Sequence, residues 1–243
     1  MKLQVRVDEA LSVLREVVTL HRPATFASSF GMEDMVLLDL LAGVDLDVEI
    51  FTLDTGRLHE ETHQLIERVR QRYGRPIRVL FPDWKDVETY VTQHGNNAFF
   101  NSVELRKQCC AIRKVAPLRR ALQGKRLWIT GMRRAQSVTR SDLKLLAYDK
   151  DHGLFKLNPL VDWSGDEVAE YLRSNDVPVN ELHARGYSSI GCAPCTRAIE
   201  PGEDERAGRW WWEQPQSREC GLHMDPNGKL VRGELGTSRE INT

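Results

Sequence analysis

Four short apolar runs constrain this chain more than any other feature, because three of them stop at turns rich in Gly, Ser or Asp. Ala24-Thr25-Phe26-Ala27-Ser28 runs into Ser29-Phe30-Gly31, and Val48 to Leu53 stops at Asp54-Thr55-Gly56. Ile77 to Phe81 is a third run, and Leu127-Trp128-Ile129-Thr130-Gly131 a fourth. Helical periods lie beside them. Val7, Leu11, Leu14, Val17 and Val18 share one helical face, Met35 to Leu41 is apolar enough to pack on a sheet, and Leu58, Thr62, Leu65, Ile66, Val69 and Tyr73 form another stripe. Gly74 is placed to cap that last helix, with Pro76 just beyond. Strands alternating with helices predict an α/β fold: a single-domain parallel sheet flanked by helices. In such sheets a ligand sits beyond the carboxyl ends of the strands. Three turns therefore become candidates: Ser28-Ser29-Phe30-Gly31, Asp54-Thr55-Gly56-Arg57 and Gly131-Met132-Arg133-Arg134. Ser164-Gly165-Asp166-Glu167 has the spacing of a capping box and opens a further helix.

Composition excludes several classes. With 243 residues, 41% apolar and 28% charged, the chain has the makeup of a folded domain rather than a disordered or fibrous one. No apolar run approaches the roughly 20 residues of a membrane-spanning helix, and the first ten residues do not read as a signal peptide. The expectation is a cytoplasmic protein with no membrane contact. Net charge is −1, so nothing steers the whole molecule toward nucleic acid. Any anionic ligand must be held by local cations.

The Ser28–Gly31 turn could hold a phosphate or sulfate on backbone N–H groups and two hydroxyls at a helix N-terminus; the alternative is a plain N-cap. No Lys-Ser or Lys-Thr closes it, which disfavours a Walker-type loop. Glu33 and Asp34 beside it either favour the helix dipole or repel further negative charge. Cations gather in three places: Arg113 and Lys114; Arg133, Arg134 and Arg140; Arg206 and Arg209. Each group is either a solvated face or part of a pocket for a multiply charged anion.

Five cysteines fall as two pairs and one single residue. Cys109-Cys110 and Cys192-Ala193-Pro194-Cys195 together suit four thiolates on one metal centre. The adjacent pair suits a cubane, whose separate irons can each take one neighbour, better than a single zinc ion. A redox dithiol and buried structural thiols remain open. Cys220, in Glu219-Cys220-Gly221-Leu222-His223, stands in a polar segment and is either an inert thiol or a reactive one. Trp210-Trp211-Trp212 reads as core or pocket wall.

These residues resemble a known family, the assimilatory adenylylsulfate reductases, relatives of the phosphoadenylylsulfate reductases. The resemblance rests on Ser28 to Asp34, Leu53-Asp54-Thr55-Gly56-Arg57, Cys109-Cys110-Ala111-Ile112-Arg113-Lys114 and Gly131 to Ser137. It continues through Gly191 to Arg197, Arg209-Trp210-Trp211-Trp212-Glu213 and Glu219 to His223. The two cysteine pairs mark the iron–sulfur branch. The resemblance implies a fold like the adenine nucleotide alpha hydrolases and a [4Fe-4S] cluster on Cys109, Cys110, Cys192 and Cys195. It implies that Cys220 attacks the sulfate sulfur of adenylylsulfate, releasing AMP, and that a thioredoxin-like dithiol protein then frees sulfite. Substrate contacts are expected from Ser28, Ser29, Phe30, Gly31, Asp54, Thr55, Gly56, Lys114, Arg206 and Arg209, then Arg133 and Arg134. The expected division is a nucleotide-binding and iron–sulfur domain over 1–219 and a mobile tail over 220–243 carrying the catalytic cysteine. Reduction of phosphoadenylylsulfate, alone or as well, is the alternative activity; a non-catalytic iron–sulfur nucleotide sensor is another. Arg106 departs from relatives that carry His there, and an Arg does not shuttle protons. Homo-oligomerisation is left open by the sequence.

Overall fold

The computed structural model describes residues 2–136 and 140–214. Cys220 and the expected tail, like Ser137, lie outside these described residues. Six strands form one sheet in the order β3-β2-β1-β4-β6-β5. They are β1 (Ala24–Ala27), β2 (Val48–Leu53), β3 (Ile77–Leu80), β4 (Leu127–Ile129), β5 (Leu146–Asp149) and β6 (Leu154–Leu157). Every pairing is parallel except β5 against β6. β1 is central, with Phe26 opposite Ile50 of β2 and Ile129 of β4. The chain builds outward from β1 through β2 to β3, then crosses back to lay β4 on the other side of β1. That reversal opens a crevice between β1 and β4 at their carboxyl ends, where α/β sheets take ligands.

Helices cover both faces. Among the described residues seven are α-helical: α1 (Lys2–Leu20), α2 (Met32–Ala42), α3 (Glu60–Tyr73), α4 (Trp84–His94), α5 (Val103–Cys110), α6 (Ala116–Leu122) and α7 (Gly165–Ser174). One core joins Leu14 and Val18 of α1, the apolar run of α2, Phe26, Ile129, and Val168 and Leu172 of α7. A second, on the other face, joins Phe51, Trp128, Leu118, Leu122 and Leu154. Asp39 ties three helices on the first face, accepting from the hydroxyls of Tyr73 and Tyr171 at 2.8 Å each. α3 ends at Gly74 in the left-handed conformation, and Ser164 and Glu167 form the reciprocal capping box of α7.

The main strands fall where the apolar runs predict, shortened by a residue or two at β1, β3 and β4. α1 begins five residues earlier than its apolar stripe, since a helix whose buried face starts at Ala10 can extend outward on polar residues. α4, α5, α6 and the β5–β6 hairpin carry no strong period. β5 and β6 have four residues each and include buried Asp149 and Lys156, so their pattern does not alternate.

Between α5 and α6 the backbone widens into a π-helical segment, Ala111–Val115, in which the N–H of Ala116 reaches back five residues to the carbonyl of Ala111. Pro117 gives the cause. It has no N–H for the carbonyl of Arg113 and its ring would press on that carbonyl. The wider turn sets the directions of Arg113 and Lys114, just after the first cysteine pair.

Candidate functional site

A pocket of about 250 Å³ occupies the carboxyl end of the sheet. Ala27, Phe51, Thr52, Leu53, Trp128 and Thr130 supply its base. Its walls come from the turn after β1, the start of α2, and the 188–191 and 205–210 segments. Of the residues singled out from sequence, Ser28, Ser29, Gly31, Thr55, Lys114, Arg206 and Arg209 line it. Phe30, Asp54, Gly56, Arg133 and Arg134 are not among the lining residues.

The turn after β1 spends its donors internally. Ser29 donates its N–H at 2.6 Å and its hydroxyl at 2.8 Å to the buried carboxyl of Asp34, and Ser28 Oγ accepts the N–H of Phe30 at 3.2 Å. Phe30 is buried and held at φ 60°, a left-handed backbone that costs roughly 1–3 kcal/mol for a residue with a bulky side chain. The Ser29 donors thus serve the fold rather than standing open for an anion. Positive charge in the pocket comes instead from the side chains of Lys114, Arg140, Arg206 and Arg209.

Two other arginines are committed elsewhere. Arg133 is 2% exposed and bound to Glu33 through Nε at 2.8 Å and Nη2 at 2.6 Å, with Glu205 at 3.7 Å. Arg134 donates to the carbonyl of Leu143 at 2.8 Å and pairs with Asp162. Glu33 and Glu205 themselves line the pocket, so its wall carries carboxylates as well as cations. Burial and the nearby Glu33 push the Glu205 carboxyl above its ordinary range. Sequence reasoning missed Gln136, His183, Ser188, Ser189 and Glu205 as lining residues. The one available signal was position: Ser188-Ser189 lie two residues before the Cys-x-x-Cys loop.

Beside this pocket lies a smaller cavity. Cys109, Cys110, Cys192 and Cys195 all line it, with Arg57, Phe99, Arg106, Arg113, Lys114 and Trp210. Cys109 and Cys110 end α5, while Cys192 and Cys195 bracket the short 3₁₀ turn Ala193–Cys195. All four are free thiols. Among the described residues, no group of three or more His, Cys, Asp and Glu side chains forms a site for a single metal ion. Burial pushes the Cys109 thiol up, and burial with neighbouring Cys192 pushes Cys195 up to about 12, against the pull of Lys114 and Arg209.

The cavity is knit by backbone and by buried charge. Ala193 N–H donates to Arg57 O at 2.8 Å, and Trp210 N–H to Cys195 O at 3.2 Å. Thr55 Oγ1 lies 3.2 Å from Cys192 Sγ, and Arg113 Nη1 donates to Thr55 O at 2.7 Å. The turn after β2 is therefore shared by both cavities. Arg106 is 1% exposed and grips Glu213 with two bonds, Nε at 2.8 Å and Nη2 at 2.7 Å. The guanidiniums of Arg106 and Arg209 both lie over the Trp210 ring, at 4.9 and 4.7 Å from its centroid. Trp210 is buried, held at φ 44°, and its indole N–H has no hydrogen-bond partner among the described residues. Gly191 allows Arg209 its place, because a Cβ there would stand 2.3 to 3.0 Å from the guanidinium. Lys114, Arg209's stacking partner Trp210, and Thr55 with its bond to Cys192 join the two cavities into one site.

Fold and site together define an α/β protein of the adenine nucleotide alpha hydrolase-like type, with a cysteine-lined cavity against its ligand crevice. A family model described as phosphoadenosine phosphosulfate reductase domain matches residues 23–198. The chain belongs to that family. It is 52% identical to the adenosine 5'-phosphosulfate reductase of Burkholderia cepacia over 92% of this chain and 89% of the relative. It is 49% identical to the protein of the same name from Allochromatium vinosum, over 91% and 86%. Among solved structures it is similar to phosphoadenylyl-sulfate reductase from Candida auris in a phosphate complex: TM-score 0.68, 26% identity, 79% of this chain and 90% of that one. The FMN adenylyltransferase of Candida glabrata shares the fold at TM-score 0.58 and 16% identity, covering 99% of this chain and 78% of that one.

Proposed function

We propose that this chain reduces adenylylsulfate to sulfite and AMP in sulfate assimilation, using Cys220 as nucleophile and a thioredoxin-like dithiol as reductant. One observation carries the reading: the cations that line the strand-end pocket, Lys114, Arg206 and Arg209, stand beside the cavity of four cysteines, and Lys114 lines both. The names of the relatives at about half identity support the same substrate.

The sulfate sulfur is shielded by negative oxygens, so thiolate attack needs cations on those oxygens. Lys114, Arg206 and Arg209 are placed to hold the phosphosulfate. The Cys220 thiolate forms a bond to sulfur as the sulfur–oxygen bond to phosphate breaks, and AMP leaves with the electron pair. Cys220 then carries a thiosulfonate. A thiolate of the dithiol attacks Cys220 Sγ, sulfite departs with the electron pair, and the second thiol resolves the mixed disulfide. The dithiol is oxidised by two electrons and the sulfate sulfur reduced by two. In this reading residues 1–219 form the nucleotide and cysteine-cavity domain, and the 220–243 segment delivers the thiol.

Four thiols lining one cavity, two of them adjacent in sequence, suit a [4Fe-4S] cluster on Cys109, Cys110, Cys192 and Cys195. Such a cluster would hold the cavity together and supply fixed charge beside Lys114; the electron pair comes from thiols. Arg106, locked to Glu213, supports the cavity wall and is not a proton carrier. Glu33 and Glu205 on the pocket wall disfavour an added phosphate, which supports adenylylsulfate over its 3'-phosphorylated form.

The test is Cys220→Ser. The variant should retain iron and AMP binding yet form no sulfite. Wild-type protein given adenylylsulfate without a dithiol should gain an adduct of about 80 Da, one SO3, on the peptide containing Cys220. An adduct on another residue, or a serine variant that turns over normally, overturns the mechanism.

A further inference from the structure

Asp34 lies on the first turn of α2, with its buried carboxyl where two walls of the pocket meet. Its Oδ2 accepts the N–H and the hydroxyl of Ser29 at 2.6 and 2.8 Å. The N–H of Gly131 hydrogen-bonds the same carboxyl. Ser29 follows β1 and Gly131 follows β4, the two strands that flank the crevice. A Cβ on Gly131 would stand 2.4 Å from Asp34 Oδ1 and 2.9 Å from the Glu33 Cβ, so only glycine lets the two segments close to this distance.

We propose that Asp34 is a positioning residue: a single carboxylate that clamps the turn after β1 to the end of β4 and so sets the width of the crevice that takes the nucleotide. The proposal rests on the reading of this pocket as a nucleotide site. The donor count supports it. Two donors from one wall and one from the other converge, and a carboxylate accepts from all of them. An asparagine has one oxygen, so it can serve one wall and must turn an N–H toward the donor of the other.

The clamp works against burial. Burial raises the Asp34 pKa from 3.8 to about 7, with Glu33 adding to the rise and the Ser29 and Gly131 donors opposing it. The charged neighbour Glu33 is itself held by Arg133, which also faces Glu205. Because the folded value lies above the unfolded one, this group's contribution to stability is full below about pH 4 and is lost as pH rises through about 7. The clamp needs the ionised form, so nucleotide affinity runs the other way and weakens as pH falls through the same range. Stability and binding therefore move in opposite directions with pH, which a merely structural carboxyl would not produce.

The test compares wild type, Asp34→Asn, Gly131→Ala and the double variant. Calorimetric titration with AMP at about pH 8 and about pH 6 is run beside thermal unfolding and steady-state sulfite formation. Each single variant should weaken AMP by about tenfold or more, the loss expected for one bond to a charged acceptor. KM for adenylylsulfate should rise with kcat little changed. The double variant should bind no worse than the weaker single one, because both break the same clamp. Wild-type affinity should fall more between the two pH values than that of Asp34→Asn, the titration of AMP's own phosphate being common to both. The unfolding midpoint of Asp34→Asn at the higher pH should shift by only a few degrees. Unchanged AMP affinity in Asp34→Asn, multiplicative losses in the double variant, or a pH dependence identical to wild type each overturn the proposal. A wild-type protein that binds no AMP and forms no sulfite overturns the nucleotide reading, and this proposal with it.

Discussion

The nucleotide pocket and the cysteine cavity touch each other, yet they are built in opposite ways. The pocket is made mainly of strand ends and the turns that follow them. Its polar groups are paired nearby: Ser29 with Asp34, Ser28 with Phe30, Glu33 with Arg133. The cavity draws on five separate stretches of chain, around Arg57, Phe99, 106–114, 192–195 and Trp210. They are held by single backbone bonds, two isolated β-bridges and one buried ion pair. Two of its thiols, Cys109 and Cys195, are pushed up in pKa, and among the described residues the Trp210 indole N–H lacks a partner. The cavity carries desolvation at Cys109 and Cys195 that a bound group would relieve by taking the thiols as thiolates. Such an asymmetry predicts that damage to the cavity propagates to the pocket, and that damage to the pocket's cations stays local except at Lys114, which lines both.

The largest effect is expected from Cys192→Ala. Wild-type protein purified anaerobically should carry about four irons per chain, and the variant close to none, with sulfite formation lost. One stoichiometric zinc in the wild type, without broad visible absorbance, would break the comparison at its root.

Arg106→Ala comes next. It takes both guanidinium bonds from the buried Glu213 carboxylate, a change that costs about 3–5 kcal/mol when one partner of such a pair is removed. Denaturant unfolding measures it. Because Arg106 also lies over Trp210, iron content should fall along with stability. A loss under about 1 kcal/mol would mean that the aromatic packing, not the ion pair, closes the cavity.

Arg209→Ala should lower kcat/KM by about 10- to 1000-fold, or roughly 1.4–4 kcal/mol of charge stabilisation. The sharper version adds Arg206→Ala and Lys114→Ala. Wild-type rates in all three would make these cations a solvated face. Lys114→Ala is the one expected to disturb both cavities, since it lines both.

Much of this could be read from residues in order. A buried parallel strand of four to six residues, a turn that stops it and a capped helix are local patterns, and β1, β2, α3 and the Ser164 box follow from them. Arg133 and Arg134 stood next after Arg206 and Arg209 as substrate contacts because sequence reports charge and not its partner. Only the folded chain sends Arg133 to Glu33 and Arg134 to Leu143 and Asp162. The same holds for the Ser28–Gly31 turn. Its position at a strand end was legible, but Asp34's claim on the Ser29 donors was not, because a serine hydroxyl and a carboxylate five residues apart can meet or miss according to the turn between them.

The sequence by itself determined the parallel α/β layout, the strand-end turns and the grouping of four cysteines into two pairs, since each depends on neighbours within a few residues. Tertiary structure decided the rest. It gathered the cysteine pairs around one cavity, buried Arg106 against Glu213, and sorted the cations into those that line the pocket and those already neutralised. Those outcomes depend on which distant groups share a low-dielectric space, where one unpaired charge is worth several kcal/mol. No local pattern records that distance.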